Sequence, residues 1–201
     1  MTKTQKSITA WHFTETDCRL RYGDGRLVSA GQTYRAEGDL VLCENGMHGS
    51  RRIIDALDYA PGPHVWKVEL LGERVEGDDK VVARERRVLW GLDATNLLHE
   101  FACRCAEDAL ALVGDPDPRS INAIRIKRLW LQGKASGNEL VAARAAARDA
   151  ARAAAWAAAR DTAWDAARDA ARAAAWAAAR DKFNRRLAAM VFAAHAKEVT
   201  K

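Results

Sequence analysis

The sequence predicts an α+β protein: a small strand-rich head with one short helix, followed by an all-α C-terminal half built around a long Ala/Arg/Trp-rich helix. Three observations carry this prediction. Turn signals recur at short intervals through residues 8–90, the hydrophobic period becomes helical after Asp93, and no Gly or Pro occurs after Gly137. The expected division is a head over residues 1–91 and a helical domain over 92–201, with the Ala-rich segment at 138–196.

In the head, Leu20-Arg21-Tyr22 runs into Gly23-Asp24-Gly25, and Arg26-Leu27-Val28 leads out. Asp-Gly between two extended runs signals a hairpin, because a type I′ turn needs positive φ at both central residues. Asp39 to Cys43 reads as a further short strand, ended by Glu44-Asn45-Gly46. Ser50 is placed to cap a helix running to Tyr59, with Ile53, Ile54 and Leu57 facing inward. Pro61-Gly62-Pro63 stops it, and His64 to Leu71 and Lys80 to Trp90 form two strands joined by the polar stretch Gly72 to Asp79.

The helical half opens with Leu98, Phe101, Ala102, Cys105, Ala109 and Leu112 at helical spacing, ending at Gly114. A second helix covers Ser120 to Gln132, and Gly133 ends it. Ser136-Gly-Asn-Glu139 fits a capping box, in which hydroxyl and carboxylate each satisfy one orphan amide. Ala, the best helix former, dominates the chain beyond this cap. One continuous helix from Asn138 to Ala196 would span about 90 Å at ~1.5 Å per residue; a break near Asp161-Thr162 would give two, and the continuous form is the expected one.

Within this tail, Arg148 to Asp161 recurs residue for residue as Arg168 to Asp181. Arg or Trp stands at every fourth position from 144 to 180. A step of four drifts about 40° per step on a ~3.6-residue helix, so the stripe spirals and a heptad coiled coil is disfavoured. Trp156, Trp164 and Trp176 are the expected anchors for packing on other helices or on a second copy of the chain, so a homo-oligomer is expected.

The net charge of +5 sits in this tail, since residues 144–186 carry nine Arg and one Lys against five Asp. The interleaved Asp residues argue against nucleic acid as the partner, because they cancel positive charge where phosphates would lie. No stretch reaches the ~18–20 apolar residues of a membrane span, and no apolar leader comes after Met1 to Ser7, so a cytoplasmic protein is expected. Cys18, Cys43, Cys103 and Cys105 have no disulfide-framework spacing and read as reduced thiols.

The segment with a chemical character is Leu42-Cys43-Glu44-Asn45-Gly46-Met47-His48-Gly49-Ser50. Cys43, Glu44, His48 and Ser50 fall within eight residues, and His12, Tyr22, Tyr34 and Lys80 are expected to converge on them. Three readings compete: Cys43 as nucleophile with His48 as base, a metal site with Cys18 contributing, or a structural turn ordered by His48. Two ligands are too few for a closed zinc site. No metal, cofactor or catalytic residue is therefore assigned. His99 and Cys103, one turn apart, are explained by helix packing.

The stretch from Cys18 to Ala83 resembles an uncharacterised domain of phage and prophage proteins. The resemblance rests on Gly31-Gln32-Thr33-Tyr34, the Leu-Cys-Glu-x-Gly-x-His motif at Leu42 to His48, Asp55 to Tyr59, and Asp78-Asp79-Lys80-Val81. The second half is similar to Ala-rich helical domains of phage and toxin-immunity-like proteins. The resemblance implies a context: a phage or prophage accessory protein acting in the host cell cytoplasm, with counter-defence as an occupation. The leading expectation is a non-enzymatic homo-oligomer that binds, and so sequesters, a small anionic nucleotide-like ligand through the head. The alternatives are a protein-interaction module docking through its Ala-rich helix, and an enzyme acting on a nucleotide or nucleic acid.

Overall fold

The computed structural model describes residues 6–21, 24–159 and 165–200, with side chains undescribed between 153 and 174. The elements are β1 (Ile8–Thr14), β2 (Thr33–Arg35), β3 (Met47–Gly49), α1 (Ile53–Asp58), β4 (His64–Glu76), β5 (Val81–Asp93), α2 (Thr95–Leu110), α3 (Pro118–Leu131), α4 (Gly137–Ala159) and α5 (Asp165–Val199). The mixed architecture is that of the expected class: an antiparallel sheet with one short helix, then helices.

The frame of the head is the long β4–β5 hairpin, with β1 added outside β4. β2 and β3 lie one after the other along the free edge of β5: Tyr34 pairs with Arg86, and His48 pairs with Val82. Residues 36–46 leave the sheet between them. One sheet face is apolar, with Ala10, Val68, Leu70 and Val88 fully buried beside Leu20, Val28, Tyr34, Met47 and Trp66. Full burial of a valine or leucine side chain is worth roughly 1.5–3 kcal/mol. Trp66 Nε1 donates to the buried Thr14 Oγ1 at 2.9 Å, so the one polar atom of that indole is satisfied.

The hairpin is longer than its sequence suggests. β4 continues past Leu71 because Gly72, at φ +75°, absorbs a bulge between Leu71 and Arg74. The run Asp39 to Cys43 is a closed turn and not a strand: Val41 and Asn45 exchange backbone bonds at 2.9 and 3.0 Å. Around Asp24-Gly25 the strands reduce to an isolated bridge between Arg19 and Leu27. Ser50 does not cap α1. Its backbone is bonded in both directions to Trp11, which holds it extended, and Arg52 takes the cap position without a side-chain capping bond to the helix amides.

The chain divides into two compact units, residues 1–95 with 183–201, and residues 96–182. The end of α5 therefore belongs with the head, where its sequence suggests membership of the helical half. Leu187 and Val191 are fully buried, Phe192 meets Trp11 and Trp90 edge-on at 5.3 and 5.7 Å, and His195 stacks on Trp90 at 4.0 Å. Asn184 Oδ1 accepts the Ile54 amide at 3.3 Å. Lys67 lies over the Trp11 ring at 3.9 Å.

In the second unit, Asp117 caps α3 by accepting the Arg119 amide at 2.8 Å, with Pro118 at the first helical position. The capping box forms as expected: Ser136 Oγ accepts the Glu139 amide at 3.2 Å, and Glu139 accepts the Ser136 amide at 2.7 Å. On α2, Phe101 is buried and Leu98 and Cys105 are half-buried as expected, while Ala102 and Ala109 are exposed and Cys103 is buried instead; Leu112 lies beyond the helix end and is exposed. His99 sits edge-on to Trp130 at 5.6 Å. The choice between one tail helix and two turns on residues 160–164, which lie outside the described residues; so do Trp164 and the Trp156 side chain. Trp176 is 67% exposed.

Candidate functional site: an arginine-lined cavity in the head

The loop between β2 and β3 is built by its own short-range bonds. Gly46 stands at φ +127°, and a Cβ there would meet Val82 Cγ2 at 2.2 Å, so only glycine fits. Asn45 spends both amide protons on the Glu37 and Asp39 carbonyls, at 2.7 and 2.8 Å. His48 Nδ1 donates to the Gly46 carbonyl at 3.0 Å, which leaves Nε2 to accept the Cys43 amide at 3.0 Å. Those bonds select the Nδ1–H tautomer and hold Cys43 at φ +70°, a left-handed conformation that costs a non-glycine residue about 1–2 kcal/mol.

This loop, β1, β3 and the residues Arg19, Leu20, Arg21, Asp24 and Arg26 line a cavity of about 930 Å³. Of the residues the sequence singled out, His12, Cys43, Glu44, His48, Ser50 and Lys80 line it. Tyr34 does not: it is buried, its hydroxyl donating to the Leu27 carbonyl at 2.6 Å and accepting the Ser29 amide at 2.9 Å. Tyr22 lies outside the described residues. Cys18 is not among the lining residues, and its thiol faces the Thr16 carbonyl at 3.8 Å. Among the described residues no three His, Cys, Asp or Glu side chains are grouped to hold a metal.

The decisive side chain is one that the sequence does not single out. Arg86 lies on β5, opposite Tyr34 and Leu70, and is 2% exposed. Its Nη1 donates to the His48 carbonyl at 2.8 Å, while its Nε is buried without a hydrogen-bond partner. No carboxylate pairs with it among the described residues. The acid that influences it, Asp24, is held bidentately by Arg26 at 2.6 Å on both oxygens. Burial accordingly pulls the Arg86 guanidinium down to about 10, with Arg26 adding to the effect. A trace of this is readable in Val82-Ala-Arg-Glu-Arg86-Arg-Val88, where a charge takes the core-facing register two residues before a buried valine.

Two histidines flank this arginine. His12 has no bonded partner for its ring among the described residues. Burial first, then the charges of Arg86 and His48, hold its pKa well below the usual value. His48 is lowered too, by burial and then by Arg86 and Lys80, against the opposing Gly46 bond. Both imidazoles are thus neutral near pH 7.

Lys80, also in the lining, bonds the Cys43 thiol, an interaction that raises its pKa, and its ammonium lies 3.9 Å over the Tyr59 ring. Tyr59 donates to Asp79 Oδ2 at 2.5 Å and is 50% exposed. Arg19, Arg21, Arg26 and Arg35 complete a lining of six cationic side chains against Asp24, Glu37 and Glu44. The balance favours an anion, and focusing in a low-dielectric cleft amplifies it.

No curated protein and no solved structure matches this chain. Residues 8–100 match the family model of a domain of unknown function, DUF7666, a span that contains every lining residue of the cavity.

Proposed function

We propose that the head is a non-catalytic receptor for a small anionic ligand, held in the cavity with Arg86 as its main contact. The observation that carries this reading is a buried guanidinium with no counter-ion among the described residues and with an unused N–H. Burying an unpaired charge costs several kcal/mol, and a ligand oxygen on Arg86 offsets that cost. Arg86 gives up Nη1 to the protein, so the Nε–Nη2 edge is the one offered to a two-oxygen acceptor.

The non-catalytic reading is supported by His48, whose two ring nitrogens are both taken by backbone groups of its own loop. A general base needs a free nitrogen within reach of the proton it removes. Nε2 accepts from the Cys43 amide and not from its thiol, which also weighs against a Cys–His nucleophile pair.

We further propose that the protein serves a phage or prophage by sequestering such a ligand as a homo-oligomer in the host cytoplasm, a context that rests on the sequence resemblance. Trp176, a large apolar side chain exposed on an Ala-rich helix, is the observation that favours assembly through the tail.

Native mass spectrometry of gently purified protein, followed by a denatured run, tests both parts. The expected result is an oligomer with a small extra mass per subunit that leaves on denaturation and is missing from Arg86→Met. A wild-type protein that purifies bare and takes up neither phosphate, citrate nor nucleotide in titration overturns the anion reading. A monomer at all concentrations overturns the assembly reading alone.

A further inference from the structure

The cavity is far larger than its anion anchor requires, and its lining adds the aromatic ring of Tyr59 to the charged groups. At about 930 Å³ it lies at the upper end of the range used for organic ligands, roughly 300–1,000 Å³. A bare phosphate on Arg86 would leave most of it to water. Resting on the anion-receptor reading, we infer that the ligand is a nucleotide, with a phosphoryl group on Arg86 and His12 and its base on Tyr59.

The phosphoryl assignment comes from the number of donors. A carboxylate would spend both oxygens on the Nε–Nη2 edge of Arg86 and leave nothing for the neighbours. A phosphoryl group has a further oxygen for the His12 N–H, whose ring has no partner in the described residues. Lys80, whose charge reaches the same His48 ring that Arg86 influences, offers a second cationic contact along the ligand. No carboxylate neutralises Lys80 among the described ion pairs, so its charge is available.

The base assignment rests on how Tyr59 is held. A half-exposed phenol on a surface turn would ordinarily be free to swing. This one is tethered at its hydroxyl by Asp79 and covered on the ring by Lys80, yet half of its surface stays open, and it belongs to the cavity lining. A fixed aromatic ring beside a cation is a stacking platform that accepts any base, since each has a π-face.

Calorimetric titration with inorganic phosphate, adenosine and the four nucleoside monophosphates tests this on wild type, Tyr59→Ala and Tyr59→Phe. At least one nucleotide is expected to bind wild type roughly tenfold or more above inorganic phosphate, the range set by single-base stacking. Tyr59→Ala should bring that nucleotide down to the level of phosphate, while Tyr59→Phe keeps most of the advantage. Adenosine should bind far more weakly than its monophosphate. Equal affinity for phosphate and every nucleotide, or a Tyr59→Ala protein that keeps full nucleotide affinity, overturns the nucleotide inference and leaves the anion receptor intact. Adenosine binding as tightly as AMP removes the phosphoryl subsite from Arg86. Failure of wild type to bind any of these anions overturns the receptor reading itself.

Discussion

Arg86 in the head and Arg128 in the helical unit are the same side chain put to opposite uses. Arg128 on α3 reaches two acids of α2, with Nε 3.2 Å from Glu100 Oε2 and Nη2 2.9 Å from Glu107 Oε2. Glu107 first and Glu100 second push its pKa well above the usual arginine value. Its donors are used, its charge is neutralised, and it ties one helix to another. Arg86 is more deeply buried, has no carboxylate bonded to it among the described residues, and is pulled down to about 10. A paired arginine explains itself by the structure it holds together. An unpaired one, buried on an apolar sheet face beside a cavity, is left with a cost that its bond to the His48 carbonyl and the Asp24 charge offset only in part.

The largest effect expected from this contrast is on Arg86→Met. Losing a charge-assisted two-point contact should weaken ligand binding at least about a hundredfold. Stability without ligand should move little, because the variant removes an unpaired buried charge but orphans the His48 carbonyl, a loss of about 1–3 kcal/mol. Arg128→Met should do the reverse: about 1 kcal/mol less stable, as for a partly exposed ion-pair network, with ligand affinity unchanged. Urea denaturation and calorimetric titration of the two variants side by side measure this. A destabilised Arg86→Met that still binds would make the two arginines alike and end the distinction.

His48→Ala sharpens the comparison by attacking the loop and leaving the charge in place. It removes the acceptor of the Cys43 amide and the donor to the Gly46 carbonyl, two bonds together worth about 1–3 kcal/mol. Affinity should fall roughly tenfold, since the loop also carries the carbonyl that positions Arg86 and the thiol that meets Lys80. Amide exchange at Cys43 and Gly46 should rise in this variant and not in Arg86→Met.

The histidines supply a pH dependence with a definite sign. His12 and His48 both have folded pKa values below the ordinary 6.5. Between 6.5 and those lowered values the unfolded chain binds protons that the folded head refuses. Stability is therefore fully present above about pH 6.5 and falls as pH drops, at up to about 1.4 kcal/mol per pH unit for each imidazole. Saturating ligand should flatten this slope, because an anion beside His12 favours the imidazolium. A thermal-melt series from pH 7.5 down to 5, with and without ligand, reads it out. An identical slope in both series would separate His12 from the ligand site.

How much of this is legible in the sequence depends on the range of the interaction that decides each feature. The Ser136-x-x-Glu139 box and the Glu44-Asn45-Gly46 turn are settled by residues within five positions of one another, and the sequence states them; the Asp117-Pro118 helix start is just as local, yet the helix expected from the sequence begins only at Ser120. Alternation with Val88 separates Arg86 from Arg87 but not from Arg84, since what buries it is Leu70 and Tyr34 on neighbouring strands. The end of α5 is hidden for a related reason. Leu187, Val191, Phe192 and His195 form an apolar stripe, but the Ala-rich run before them reads as one uniform helix, and their partners Trp11 and Trp90 lie far away in sequence. Tyr34 misleads because its motif position suggests chemistry, whereas its hydroxyl fastens residues 27–29 to β2.

Ser136→Ala should give the smallest effect and the cleanest separation of the two units. Ser136 Oγ accepts the Glu139 amide, so the variant leaves one orphan donor at the start of α4, typically a loss of about 1 kcal/mol. The reciprocal bond from the Ser136 amide to Glu139, together with the serine hydroxyl, holds the Glu139 carboxyl below its usual range. That contribution is present above the ordinary carboxyl pKa and disappears as pH falls through the lowered one. Helical content read by far-ultraviolet circular dichroism should decline slightly in Ser136→Ala, and Glu139→Gln should mimic the acid end of the same titration. Ligand affinity should be untouched in both, because every described lining residue of the cavity belongs to the other unit. A cap variant that alters binding would mean that the helical unit senses the ligand, and the two arginines would then belong to one coupled device.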